Sequence, residues 1–227
     1  MGSARRLSAA VAVVGLTALL VLDAPADISL RDTSSDRPLV LDQNTDYLLH
    51  GVNITGVRDS AALTLTGKIA SVRMRKCIIG NVRSGDNGRA AGVEAVGASV
   101  GSFVASDSIF YDCENQLASL KEGTFGFVSF QRCAFRASPE FLKDVYDACP
   151  WRDWPPVTEF YNIDRLELID NQFANTIILI HPSVRKIIIR GEIPGLHVED
   201  KEATQVIRLA PGQDPRTVDP VAVASTK

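Results

Sequence analysis

The sequence predicts an all-β chain wound as a solenoid of parallel strands, and three observations carry that prediction. Past its first residues the chain shows no long helical periodicity; short runs of Val, Ile, Leu and Phe are broken by Gly, Asn and Asp, which reads as strands and turns. One run, SVRMRKCIIGN at 71–81, alternates at Val72, Arg73 and Met74, then inserts two charged residues, Arg75 and Lys76, before alternation resumes at Cys77 and Ile79. That same interruption recurs along the chain, as stacked repeats require.

The copies justify the elements in order. YLLHGVNI supplies Tyr47, Leu49, Val52 and Ile54, and FVASDSIF supplies Phe103, Ala105, Ser108 and Phe110. VSFQRCAF supplies Val128, Phe130, Cys133 and Phe135, and LELIDNQF supplies Leu166, Leu168, Asn171 and Phe173. A sixth copy, IIIRGEIP from Ile187, keeps its first half and slips register at Glu192. With Val72, Met74, Cys77 and Ile79, 18 of 20 inward positions in the first five copies are apolar or Cys, where a 45% hydrophobic composition gives about nine. The exceptions, Ser108 and Asn171, share a column with Val52, Cys77 and Cys133. Small or polar side chains stacked there suit a corner, where they can bond buried backbone of the turn.

The pattern resembles the right-handed parallel β-helix of the pectate-lyase-like superfamily. The resemblance covers roughly 37–196, rests on the motif from Tyr47 to Phe173, and implies architecture rather than activity. Corner-to-corner steps of 25, 31, 25 and 38 residues then mean about six coils with one insertion, at 137–157. At ~4.8 Å per layer the stack is about 29 Å long. Solenoid ends need covers: DISLRDTSSDRPLVLD caps the first layer and ATQVIRL at 203–209 the last. The β-helix domain is therefore 27–209, and 210–227, with three prolines and little apolar content, reads as a flexible tail.

Residues 1–26 read as a secretory signal. Two arginines precede an uncharged run of 16 residues, Leu7 to Leu22, and APA follows at 24–26, the order of n-region, h-region and cleavage site. The run is slightly short for a spanning helix; an uncleaved anchor is the other reading. The expectation is export to the periplasm or cell exterior, with no membrane association after cleavage. A net charge of −3 leaves no basic footprint for nucleic acid.

Three groups of residues bear on chemistry. At the second corner position the copies read Gly51, Lys76, Asp107, Arg132, Asp170 and Gly191. Asp107 and Asp170, about 9.6 Å apart across two layers, overlap the separation of an inverting glycosidase pair. A ladder of alternating charges that stabilises strand pairing is the favoured reading, since Arg132 between the carboxylates holds both ionised. The Asn-Thr-Asp, Asp-Asp and Gly-His-Gly elements that the resemblance implies for pectin hydrolysis are missing; LLHGVNI has His50 before Gly51 but Leu49 where glycine is expected. Arg73, Arg75 and Lys76 could take a lyase proton, yet no compact acidic cluster for calcium faces them.

The insertion, ASPEFLKDVYDACPWRDWPPV, is the second group. Ser138 can cap a helix with Pro139 first and Glu140 in the first turn; Phe141, Leu142 and Val145 give it an apolar face, and Pro150 ends it. Trp151 and Trp154 follow, with Tyr161 further on, either buried against the solenoid flank or exposed to hold a sugar ring. Third, Cys113 and Cys149 are the disulfide candidates of an exported chain, but a ten-residue helix after Ser138 places them at least about 11 Å apart, beyond bridging distance. His181 and His197 read as strand-end or loop residues, GDNGR at 85–89 as a turn, and no cofactor or metal is expected. The function expected is a non-catalytic, secreted or periplasmic protein binding an envelope or extracellular glycan through Trp151, Trp154 and Tyr161. The alternatives are a polysaccharide lyase or glycoside hydrolase using Asp107, Arg132 and Asp170, and a purely structural surface protein.

Overall fold

Strands pair in parallel throughout a computed structural model that describes residues 27–84, 90–200, 202 and 204–218. The expected signal at 1–26 and the turn at 85–89 lie outside the described residues. Each pass of the chain supplies three short strand segments, so the solenoid has three faces.

The first face collects Leu39–Leu41, Val157–Phe160, Ile177–Ile180, Leu196–Val198 and the first halves of three long strands, Leu63–Arg75, Ala91–Ser106 and Gln116–Gln131. The second halves of those strands join Ile28–Arg31, Asp46–His50, Ile163–Ile169, Lys186–Arg190 and Gln205–Arg208 as the second face. Gly67, at φ +66°, and Asn162, at φ +52°, stand where the chain bends from first face to second; both residue types enter the left-handed region at low cost. The third face is a separate sheet of Ser34–Ser35, Asn53–Thr55, Ile78–Val82, Ile109–Cys113, Ala134–Arg136 and Gln172–Ala174.

The register matches the inward positions read from sequence. Tyr47, Val72, Phe103, Val128, Leu166 and Ile187 are partners in successive strands, and so are Ile54, Ile79, Phe110, Phe135 and Phe173 across the third face. Phe110, Phe135 and Phe173 stack with centroids 4.8 and 5.1 Å apart, and Phe130 sets its ring edge-on against two of them. Burying each such ring contributes about 1.5–3 kcal/mol.

The corner between second and third faces is a single left-handed residue in each layer. Gly51, Lys76, Asp107, Arg132, Asp170 and Gly191, the second corner position of the copies, all have positive φ. The N–H groups of Lys76, Asp107, Arg132 and Asp170 donate to the following layer, while those of Ile78, Ile109, Ala134 and Gln172 donate to the preceding one. The N–H between them, on Cys77, Ser108, Cys133 or Asn171, is left outside the ladder. Side chains of the next layer capture two of these four: Cys77 N–H donates to Ser108 Oγ at 3.1 Å and Cys133 N–H to Asn171 Oδ1 at 2.8 Å. Asn171 Nδ2 also donates to Phe130 O at 2.8 Å.

The insertion carries a helix, Pro139–Ala148, capped by Ser138, whose Oγ accepts from Phe141 N–H. Asp112 of the preceding layer holds the cap, accepting from Ser138 N–H at 2.7 Å and from its Oγ at 3.0 Å. Phe141 and Val145 are buried with Ala137, and the Arg83 guanidinium covers the Phe141 ring at 4.1 Å. All four cysteines are free thiols, as a helix between Ser138 and Cys149 requires.

The flexible tail expected from 210 is corrected for residues 210–218. Arg190 Nη1 donates to Gln213 O at 2.7 Å, Arg165 Nη2 reaches Pro215 O at 3.4 Å, and a short helical turn spans Pro215–Thr217. Leu209 packs on Ile169 and Ile188, which face outward from the second face. This strap covers an ion pair, Arg165 to Glu167 at 2.6 Å. The end of the expected tail, 219–227, lies outside the described residues.

Two outcomes test the corner. Asn171→Ala leaves Cys133 N–H buried without its partner, so denaturant unfolding should show a loss of about 1–3 kcal/mol. A loss within error of zero counts against the capture. Burial raises the Cys77 and Cys113 thiols and pushes Cys133 up to about 11, so iodoacetamide should label Cys149 alone in the native chain. Peptide mass spectrometry should find the other three labelled only in denaturant.

Candidate functional site

The insertion places its tryptophans outward. Trp151 is 73% exposed and Trp154 42%, and their rings lie 5.8 Å apart at 57°. The buried reading of these rings is thus not what the fold adopts. Between them Arg152 points the other way and is 7% exposed. Its Nε donates to Trp154 O at 3.2 Å and its Nη1 to Asn115 Oδ1 at 3.3 Å, and its guanidinium lies 5.8 Å from the Trp154 ring centroid. Burial lowers the Arg152 pKa, while Glu114 opposes that shift. The buried Arg152 ties down the loop backbone at Trp154, and the Trp151 ring packs against that of Trp154.

Tyr161 is not part of that pair. Its ring stacks on His181 at 4.4 Å, with Lys121 Nζ 5.7 Å from its centroid. The strand Val157–Phe160 separates it from the tryptophans. His181 Nε2 stands 3.9 Å from Glu199 Oε2, and His181 Nδ1 contacts Ser183 Oγ at 2.8 Å. Burial, with Glu159 and Glu199 nearby, raises the Tyr161 hydroxyl pKa. Ser119 Oγ donates to Glu159 at 3.2 Å. Lys121, Glu159 and Glu199 went unnoticed in the sequence, where His181 read only as a strand-end or loop residue; the outward alternation of Glu159 and Tyr161 in VTEFY was the signal available.

Asp107, Arg132 and Asp170 do line one shallow depression of about 450 Å³, but their partners differ from the expectation. Arg132 binds Asp107 alone, Nε to Oδ1 at 2.7 Å and Nη2 to Oδ2 at 3.0 Å. Asp170 is taken by Arg190 of the next layer at 2.6 and 3.0 Å, so of the expected ladder only Arg132–Asp107 forms and Asp170 pairs outside it. The Arg132 hydrogen bond lowers the Asp107 pKa and the Arg190 hydrogen bond lowers that of Asp170. Neither carboxyl keeps a proton near neutral pH, so this trio offers no general acid. Among the described residues no three His, Cys, Asp or Glu side chains group as a metal site, and no helix is long and apolar enough to cross a membrane.

No family model, curated protein or solved structure matches this chain.

The corner pairs predict a pH dependence. Asp107 has a depressed folded pKa, so its pairing stabilises above the unfolded value near 4 and the effect is lost as pH falls through the folded value. Asp107→Asn should cost roughly 0.2–1 kcal/mol at pH 7, the range of an exposed pair, and the difference from the parent should narrow as pH falls below about 4. Paired denaturation curves at pH 7 and pH 3 check both signs.

Proposed function

We infer that this chain is a non-catalytic, exported parallel β-helix protein that binds an envelope or extracellular glycan, with the right-handed winding of the pectate-lyase-like superfamily. One observation carries the reading: two adjacent indoles stand exposed on a loop whose arginine is buried to hold them there. Exposed aromatic faces pack against the C–H faces of sugar rings, and neighbouring carboxylates hydrogen-bond the hydroxyls. Left uncovered, such a pair is an apolar patch with no structural use. The repeat pattern supports the winding, and the sequence of residues 1–26 supports export.

A glycan array probed with the chain lacking residues 1–26 tests the reading. Trp151→Ala and Trp154→Ala should each weaken the strongest array ligand by roughly 2 kcal/mol, about thirtyfold, if the indoles anchor binding. Retention of no glycan at all would favour a purely structural surface protein. A near-ultraviolet product from uronic-acid polymers, or released reducing ends, would instead establish the lyase or hydrolase alternative.

A further inference from the structure

One coil of the solenoid carries a charge imbalance that the net charge conceals. From Ser60 to Ser84 the sequence holds Lys68, Arg73, Arg75, Lys76 and Arg83 and no Asp or Glu, in a chain whose formal net charge is −3. Three of these cations stand together at the end of the second face. Arg73 and Arg75 alternate with the buried Val72 and Met74, so both point outward, about 7 Å apart along the strand. Lys76 follows at the corner. Arg31, His50 and Arg75 are partners in successive strands, which carries the patch across three layers, about 9.6 Å. Arg31, Arg73, Arg75 and Lys76 are exposed and His50 is half-buried.

Counter-charge is missing at contact distance. Among the described residues the side chains of Arg73, Arg75 and Lys76 make no hydrogen bond or ion pair. Asp107 lies within electrostatic range of Arg75 and Lys76 but is bonded to Arg132. Asp46 accepts from the Ser71 hydroxyl, and Asp32 lies against Gly51. The strap lies on the other half of this face, against Arg165 and Arg190.

We propose that this patch is a peripheral docking site for an anionic lipid surface, a bilayer carrying phosphatidylglycerol or a lipid of like charge. The cations spread in two directions, along one strand and across three layers, all on the outside of one sheet. A plane of negative charge meets them together, whereas an extended acidic peptide follows only one of the two directions. Single-stranded nucleic acid finds no Trp, Tyr or Phe among the outward residues of these strands to stack on. Leu48 and Val104, the strand partners that flank Arg73, are half-buried; guanidinium stems cover such apolar surface while their heads stay at headgroup level. Each basic residue beside an anionic leaflet adds roughly a fivefold preference, so the attachment is reversible and screened by salt. Such docking departs from the expected lack of membrane association, and it does not depend on the glycan reading.

Sedimentation with vesicles tests it, using the chain lacking residues 1–26, since the described fold begins at Asp27. Phosphatidylcholine vesicles with roughly 30% phosphatidylglycerol should retain at least about tenfold more protein than phosphatidylcholine alone. Salt at about 0.5 M should release it. Arg73→Glu and Arg75→Glu should each weaken retention roughly twentyfold, whereas Arg136→Glu, an equal charge change on the third face, should stay within about threefold. Unfolding curves that match the parent's show that the variants are folded. Equal retention on neutral vesicles, or equal losses in Arg136→Glu and the patch variants, overturns the proposal. Capture of soluble polyglutamate in preference to anionic vesicles also overturns it, and assigns the patch to an acidic polypeptide.

Discussion

The structure depends on a single backbone N–H in each layer. A parallel solenoid that turns through one left-handed residue reverses the direction of its ladder, and the next N–H then points at nothing. That orphan sits against the core, where an unmade hydrogen bond costs on the order of 1–3 kcal/mol. Ser108 and Asn171 resolve this for Cys77 and Cys133 by reaching down one layer. The thiols of Cys77 and Cys133 also reach down one layer, but as donors, to Leu49 O at 3.4 Å and Ala105 O at 3.5 Å, as the Asn171 amide does to Phe130 O. The polar side chains of Ser108 and Asn171 therefore sit inside an apolar interior because the turn needs them, and each registers its layer on the one below.

Much of this was legible from residue order. The inward positions followed from alternation alone, since one misplaced residue would send every later side chain to the wrong side. The helix was legible because Ser138, Pro139 and Glu140 form a local signal that owes nothing to the rest of the fold. The corner conformation was not read, although glycine at both ends of that column, Gly51 and Gly191, advertised a positive φ. Lys76 and Arg132 hid it, because neither favours that region in isolation and both adopt it only where the interlayer bonds outweigh the local cost. The strap at 210–218 was hidden for a related reason: it holds through carbonyls bonded to Arg190 and Arg165, which composition does not reveal.

The candidate sites divide along the same line. Trp151 and Trp154 stood out by residue type, but their exposure depends on Arg152 meeting Asn115, a partner 37 positions away. Tyr161 looked like a member of that group and belongs elsewhere, because the strand it follows carries it to the opposite border of the first face. The pairing of Asp170 with Arg190 rather than Arg132 likewise turns on which layer's guanidinium reaches the corner, a choice that spacing leaves open.

The phenyl stack has a mechanical meaning. Phe110, Phe135 and Phe173 join consecutive layers, and a layer of a solenoid touches only the layers beside it. Cohesion is therefore concentrated in the interior of the stack, whereas Ser34–Ser35 and Gln205–Arg208 each have a single strand neighbour. Such a column behaves like a zip fastened at its middle: thermal opening begins at the two ends and travels inward one tooth at a time. The helix and its tryptophans, rooted beside Phe135, ride on the last teeth to part.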